Sequence, residues 1–158
     1  MARPRDVPGL DCDERFDLAA GRVIEVRAAE LFAHADGVLG VEDIEPLHDM
    51  RVAGRRLRAA LELFRPCFPK KRYKAAIEPL KALADALGER RDRDVAIAFL
   101  EGFEAEAPAG DRGRLEILVA RLRDEQAEAN RALRSHVGDR NLAALRERFD
   151  DLIAAARR

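Results

Sequence analysis

LHDMRVAGRRLRAALELFRP, residues 47–66, is the stretch on which the reading of this chain turns. At about 100° per residue, Met50, Ala53, Leu57, Ala60, Leu61 and Phe64 gather within an arc of roughly 100°. His48, Arg51, Arg55 and Arg58 fall on the opposite side, within an arc of roughly 80°. The stretch is an amphipathic helix, with a narrow apolar stripe opposed by a row of cations. Pro46 pre-sets its first turn, and Pro66 and Pro69 end it near Phe64. Arg56 flanks the other side of the row. Glu62 lies on the row one turn beyond Arg58 and can pair with only one or two of its members. Like charges at these spacings repel, and arginine cannot relieve the repulsion by losing its proton. The row therefore calls for anions, either from a neighbouring helix or from a ligand.

Helical periodicity continues on both sides of this element. Residues 1–12, with Pro4 and Pro8, read as a flexible arm, and residues 13–158 as a single domain long enough to bury a core. A first helix is expected over residues 13–36. There Phe16, Ala20, Val23, Ala28 and Leu31 recur near helical spacing, and Gly37 supplies a stop. Residues 70–103 read as a long third helix that Pro79 and Gly88 could kink or divide. A fourth spans residues 111–137, with Leu115, Leu118, Leu122, Ala129 and Leu133 on one stripe, and a short fifth spans residues 142–156. No strand pattern or low-complexity tract is present. Long helices joined by short links predict an all-α antiparallel bundle of about four long helices and a short C-terminal one.

The charge is nearly balanced, with 29 Lys and Arg against 30 Asp and Glu, but it is unevenly spread. Nine of the basic residues lie within residues 48–74, where Asp49 and Glu62 are the only acids. The lysines, Lys70, Lys71, Lys74 and Lys81, all fall in one short stretch. A local basic block in a near-neutral chain points to a confined anion site rather than to general adhesion to nucleic acid or membrane. The basic helix also lacks the interleaved aromatics on which single-stranded nucleic acid stacks. For any single arginine, an acid on a neighbouring helix is the plainer partner. For the aligned set, followed by the cations at 70–74, a multi-phosphate ligand fits better. Guanidinium forks match phosphate oxygens, lysine adds point charge, and a protonated histidine can donate. A regular row suits a polymeric anion better than a single phosphate.

The second unusual stretch is ALGERRDRD, residues 86–94. Extending the apolar stripe Leu80, Ala84, Leu87 by one turn brings in Arg91 and then Asp94. Charges on a core-facing stripe are costly unless paired or ligand-bound. Two readings stand: a buried pair of Arg91 with Asp92 or Asp94, or acids that orient Arg91 toward a site shared with the second helix. His34 and His136 are lone histidines near helix ends, suited to capping or solvation. The arginines around His48 disfavour a metal ion. Cys12 and Cys67 lack metal-ligand spacing and read as free thiols. No nucleophile–base arrangement or glycine-rich phosphate loop is present, so no catalytic residue, metal or cofactor is expected. With no signal-like segment and no run of about 18 apolar residues, the expected location is the cytoplasm.

At these two motifs the chain resembles the CHAD family, the conserved-histidine α-helical domains. The family's signature is a histidine followed by a regular run of basic residues, matched by LHDMRVAGRRLRAALELFRP. A downstream LG-x-x-RD-x-D is matched by LGERRDRD, residues 87–94. The resemblance implies a helical bundle with a basic groove that binds inorganic polyphosphate without catalysis, in some members at polyphosphate granules. By motif match it assigns anion binding to His48, Arg51, Arg55, Arg56 and Arg58, followed by Lys70, Lys71, Lys74 and Arg91. The family usually carries two pseudo-symmetric repeats, each with its own basic helix, and this chain has one. RSHVGDRNLAALRERF, residues 134–149, supplies His136 without a basic ladder behind it. A homodimer that restores the two-fold arrangement is the expectation. The competing readings are a metal-dependent phosphate-processing enzyme or its accessory, which would draw on Asp92 and Asp94, and a scaffold or nucleic-acid-binding helical module.

Overall fold

The computed structural model describes residues 3–156, and all of its regular structure is helical. Five α-helices follow one another: α1 (Phe16–Ala33), α2 (Glu45–Leu63), α3 (Lys70–Glu106), α4 (Ala109–Val137) and α5 (Asp139–Ala156). A 3-10 turn, Arg65–Cys67, joins α2 to α3. The all-α bundle expected from periodicity is what forms. Pro46 sits in the first turn of α2, where a missing amide hydrogen costs nothing. Gly37 turns the chain after α1 at φ +75°, a conformation a side chain would strain.

α2 lies between α1 and α3, while α5 closes the bundle against α1 and α3 and α4 runs along α3. The core is drawn from every helix. Leu47, Met50, Ala53, Leu57 and Leu61 of α2 are fully buried, as are Ile24 and Leu31 of α1, Leu80 and Leu87 of α3, Leu133 of α4 and Leu152 of α5. Phe32 meets Phe149 edge-on at 6.3 Å, and the Arg146 guanidinium lies 4.4 Å over the Phe32 ring.

Three details depart from the periodicity reading. α3 runs unbroken through both Pro79 and Gly88 for 37 residues. Proline removes only one backbone bond, and α2, α4 and α5 all pack along this helix and hold its course. In α1 Ile24 rather than Val23 joins Ala20, Ala28 and Leu31 in the core, whereas Phe16 is 63% exposed and rests on Phe64 with ring centres 5.3 Å apart. In α4 Leu118 is exposed, and Val119, Ala129 and Leu133 carry the buried stripe.

At about 1.5 Å per residue, α3 extends roughly 55 Å and α2 only roughly 28 Å. The last turns of α3 therefore overhang the bundle with α4 beside them, leaving Phe99 and Phe103 largely exposed. This hairpin is held by Arg123 to Glu101 at 2.5 Å and by Arg112 Nε donating to the Ala107 carbonyl at 3.1 Å.

The segment before α1 has no regular structure but is tied along that helix. Arg22 donates to the Gly9 carbonyl at 2.6 Å and pairs with Glu14 at 2.6 Å, and Arg27 donates to the Arg5 carbonyl at 2.9 Å. Glu30 is the anchor. Its nearly inaccessible carboxylate accepts from the Arg5 amide and pairs with Arg27 at 2.6 Å. Burial alone would push this carboxyl up. The Arg5 amide, the Arg27 guanidinium and the charge of Arg56 outweigh it and hold the carboxyl below its usual value. A depressed folded pKa stabilises the fold above the unfolded value and loses that contribution as pH falls through the folded one. Thermal melts should therefore show wild type exceeding Glu30→Gln by about 1–3 kcal/mol at neutral pH. That difference should shrink progressively as the pH is lowered through the carboxylate range.

Candidate functional site

Burying Leu47, Met50, Leu57 and Leu61 sets the rotation of α2 and carries its basic row to one flank, beside α3. A cleft of about 510 Å³ opens there. Arg51, Arg55 and Arg58 form the α2 wall, and Asp85, Gly88, Glu89 and Asp92 contribute to the α3 wall. Arg58 pairs along its own helix, Nε to Glu62 Oε1 at 2.9 Å, and both partners are partly exposed to solvent. Such a pair contributes little. Arg51 and Arg55 make no hydrogen bond or ion pair among the described residues. The carboxylates of Asp85, Glu89 and Asp92 on the opposite wall are likewise without a partner among the described residues, although the Glu89 backbone carbonyl accepts from Arg93 at 3.1 Å. A neighbouring helix does supply carboxylates, as the plainer reading expected, but none comes within ion-pair distance of Arg51 or Arg55. His48 is half-buried at the head of the row and does not line the cleft.

The next turns of the same two helices enclose a second cleft of about 760 Å³. Its cations are Arg65, Lys70, Lys74 and Lys81, and Phe68, Tyr73 and Ile77 give it an apolar floor. Arg65 sits 5.8 Å over the Tyr73 ring, and Lys81 reaches Glu78 at 3.5 Å. Lys71 is exposed and lines neither cleft. Arg65 and Lys81 were missed from the sequence. Arg65 continues the α2 row one step past Glu62, and Lys81 continues the lysine spacing of α3, so the signal was present in the phase.

The structure separates Arg56 from the row. It is half-buried on the α1 side of α2, where its charge helps hold Glu30 ionised. The placing of Arg91 on the core stripe is corrected. The buried seam of α3 runs Leu80, Leu83, Leu87, Arg90, Asp94, Ile97, so the core arginine is Arg90 and not Arg91. Ala84, on which the sequence stripe was built, lies on the flank of this seam, half-buried. Starting from it rotated the stripe by one residue. Arg91 is partly buried, with Nη1 enclosed and without a partner, and it lines neither cleft.

Arg90 Nε lies 3.0 Å from Asp94 Oδ1, with both side chains fully buried. Gln126 of α4 donates to Asp94 at 2.6 Å. Arg90 donates to Asn130 Oδ1 at 3.0 Å and to the Gly40 carbonyl at 3.1 Å, and Asn130 donates to the Leu39 carbonyl at 2.9 Å. The network locks α3 and α4 to the connector before α2. Its role is positioning, and the charged groups of the second motif thereby divide: Asp94 is internal, and Asp92 faces the cleft.

Among the described residues no group of three or more His, Cys, Asp or Glu side chains is arranged to hold a metal ion. No helix among them is long and apolar enough to cross a membrane. Both cysteines are free, and burial first, then the charge of Asp17, pushes the Cys67 thiol up, keeping it protonated.

A family model, CHAD domain, matches residues 22–158. The chain belongs to the CHAD family. The match spans all of α2 to α5 and most of α1, so both clefts and the Arg90 network lie inside the CHAD domain. CHAD domains are related in general to polyphosphate binding. No curated protein matches the chain.

Removing one partner of a fully buried pair strands the other, a loss of about 3–5 kcal/mol. Urea denaturation of Arg90→Ala should show a loss of that size, whereas Arg91→Ala should stay within about 1 kcal/mol of wild type. The reverse order would return Arg91 to the core.

Proposed function

We propose that this CHAD domain binds inorganic polyphosphate along the α2/α3 groove and does not turn it over. The observation that carries the reading is the cation row itself. Arg51 and Arg55 stand in line with Arg58 along one wall of an open cleft, without an anion of the protein bound to either. Successive phosphates can accept from successive guanidinium groups, which present paired N–H donors without needing a change of protonation. Lys70 and Lys74 extend the path as point charges, and His48 adds a donor when protonated. Binding releases counterions condensed on the polyanion, which makes affinity depend on salt. In a cell, the same chemistry would hold the protein at polyphosphate granules.

A second reading draws on Asp92, which faces the arginines across the cleft. Carboxylates beside a phosphate-binding row could support metal-dependent phosphoryl chemistry. Release of orthophosphate that needs a divalent metal and disappears in Asp92→Asn would replace binding alone with that activity.

In a titration with long-chain polyphosphate, affinity should fall on the order of a hundredfold between about 50 mM and 200 mM salt if four phosphates are neutralised. Arg51→Glu/Arg55→Glu should weaken binding by about tenfold or more while leaving the melting temperature unchanged. Affinity indifferent to salt, or unmoved by this charge reversal, would remove the mechanism.

The chain carries one basic ladder, and pairing of two copies about a closed two-fold axis would bring two ladders into one assembly. Light scattering at micromolar concentration should return twice the chain mass. A monomer would show that one ladder is the complete unit.

A further inference from the structure

The groove stripe of α3 changes sign along its length. Lys70, Lys74, Glu78 and Lys81 fall on the same stripe as Asp85, Glu89 and Asp92, at helical steps of three and four, and Lys81 reaches Glu78 at 3.5 Å. The α2 wall does not follow the change. It presents Arg51, Arg55 and Arg58 opposite the acids, and Glu62 and Arg65 opposite the lysines. Near the α2–α3 turn, cations therefore stand on both walls, and the two acids there, Glu62 and Glu78, are each paired with a cation, Arg58 and Lys81. Farther along, a cationic wall faces an anionic one, and the three carboxylates there have no cation bound to them among the described residues. A solvated carboxylate across the cleft attracts the arginines it faces and repels any phosphate placed between.

From this we infer that the groove is graded, with Arg65 and Lys81 belonging to the tight end and Asp85, Glu89 and Asp92 acting as negative specificity determinants at the other. The inference rests on the polyphosphate reading above. A phosphate chain is anchored where both walls are cationic and is held more weakly along Arg51 and Arg55, where the facing acids offset part of the attraction. The acids also restrict which polyanions fit. A thin chain can lie against the α2 row, but a wider polyanion that fills the cleft must bring its charge against the α3 carboxylates. Arg65 and Lys81 are thus binding residues, and the acids set position and selectivity without touching the favoured ligand.

The test is a polyphosphate titration at low salt with four variants. The chain Asp85→Asn/Glu89→Gln/Asp92→Asn is compared with Glu128→Gln/Glu147→Gln/Asp150→Asn, which makes the same change of net charge on exposed faces of α4 and α5. The cleft variant should bind about tenfold more tightly than wild type, and the control should gain no more than about twofold. Lys74→Glu/Lys81→Glu should weaken binding severalfold more than Arg51→Glu/Arg55→Glu. Equal gains from the cleft and control variants, or a larger loss at the arginine end, would overturn the inference. A wild-type chain that binds no polyphosphate would overturn the proposed function and the grading with it. Binding by wild type without a cleft-specific gain would overturn the grading alone.

Discussion

Leu47, Met50, Leu57 and Leu61 have no accessible surface, and the burial of that seam sets the rotation of α2 on which the rest of the groove depends. Each such side chain contributes about 1.5–3 kcal/mol when removed from water. Several together outweigh the cost of aligning like charges along the same helix. With the seam facing α1 and α3, residues at positions 51, 55 and 58 have nowhere to go except the flank beside α3. The cation row is a consequence of packing as much as of composition.

The two motifs do different physical work despite similar residues. In the first, arginines are held at the surface, where charge is available to a ligand. In the second, Arg90 and Asp94 are enclosed; Arg90 donates to Asn130 and the Gly40 carbonyl, Asp94 accepts from Gln126, and Asn130 in turn donates to the Leu39 carbonyl. That network joins the connector before α2 to α3 and α4, so it determines how the two walls of the groove stand relative to each other. A buried ion pair is a poor source of net stability but a strong constraint on geometry, because a displaced partner leaves a charge without water.

Most of the fold was legible because helices declare themselves through spacing. α2 began within a residue of Pro46 and ended before Pro66, and the long helix after Lys70 was expected at its correct start. Less legible was the exact phase of α3. Ala84 and Leu83 are both apolar, and only neighbouring helices distinguish the one in the core from the one on the flank. That ambiguity of one residue moved the core arginine from Arg90 to Arg91. The division considered at Pro79 does not occur for a related reason, since one lost backbone bond is offset by packing along the whole helix. At the candidate site the row Arg51, Arg55, Arg58 was visible in advance. Arg65 and Lys81 were present in the helical phase without being singled out, Asp92 was named only for the competing reading, and Asp85 and Glu89 join the groove only when two helices lie side by side.

The amino-acid sequence by itself determined that the chain is helical, that α2 has an apolar and a basic face, and that positive charge is concentrated around residues 48–74. These follow from local periodicity and from the count of charges, neither of which needs a neighbour. The tertiary structure alone decided which arginine is buried, which cations share a cleft, and which acids oppose them. The reason is that burial and charge pairing are relations between helices. A step of 100° about one axis says where a side chain points, and only the second axis says what it meets.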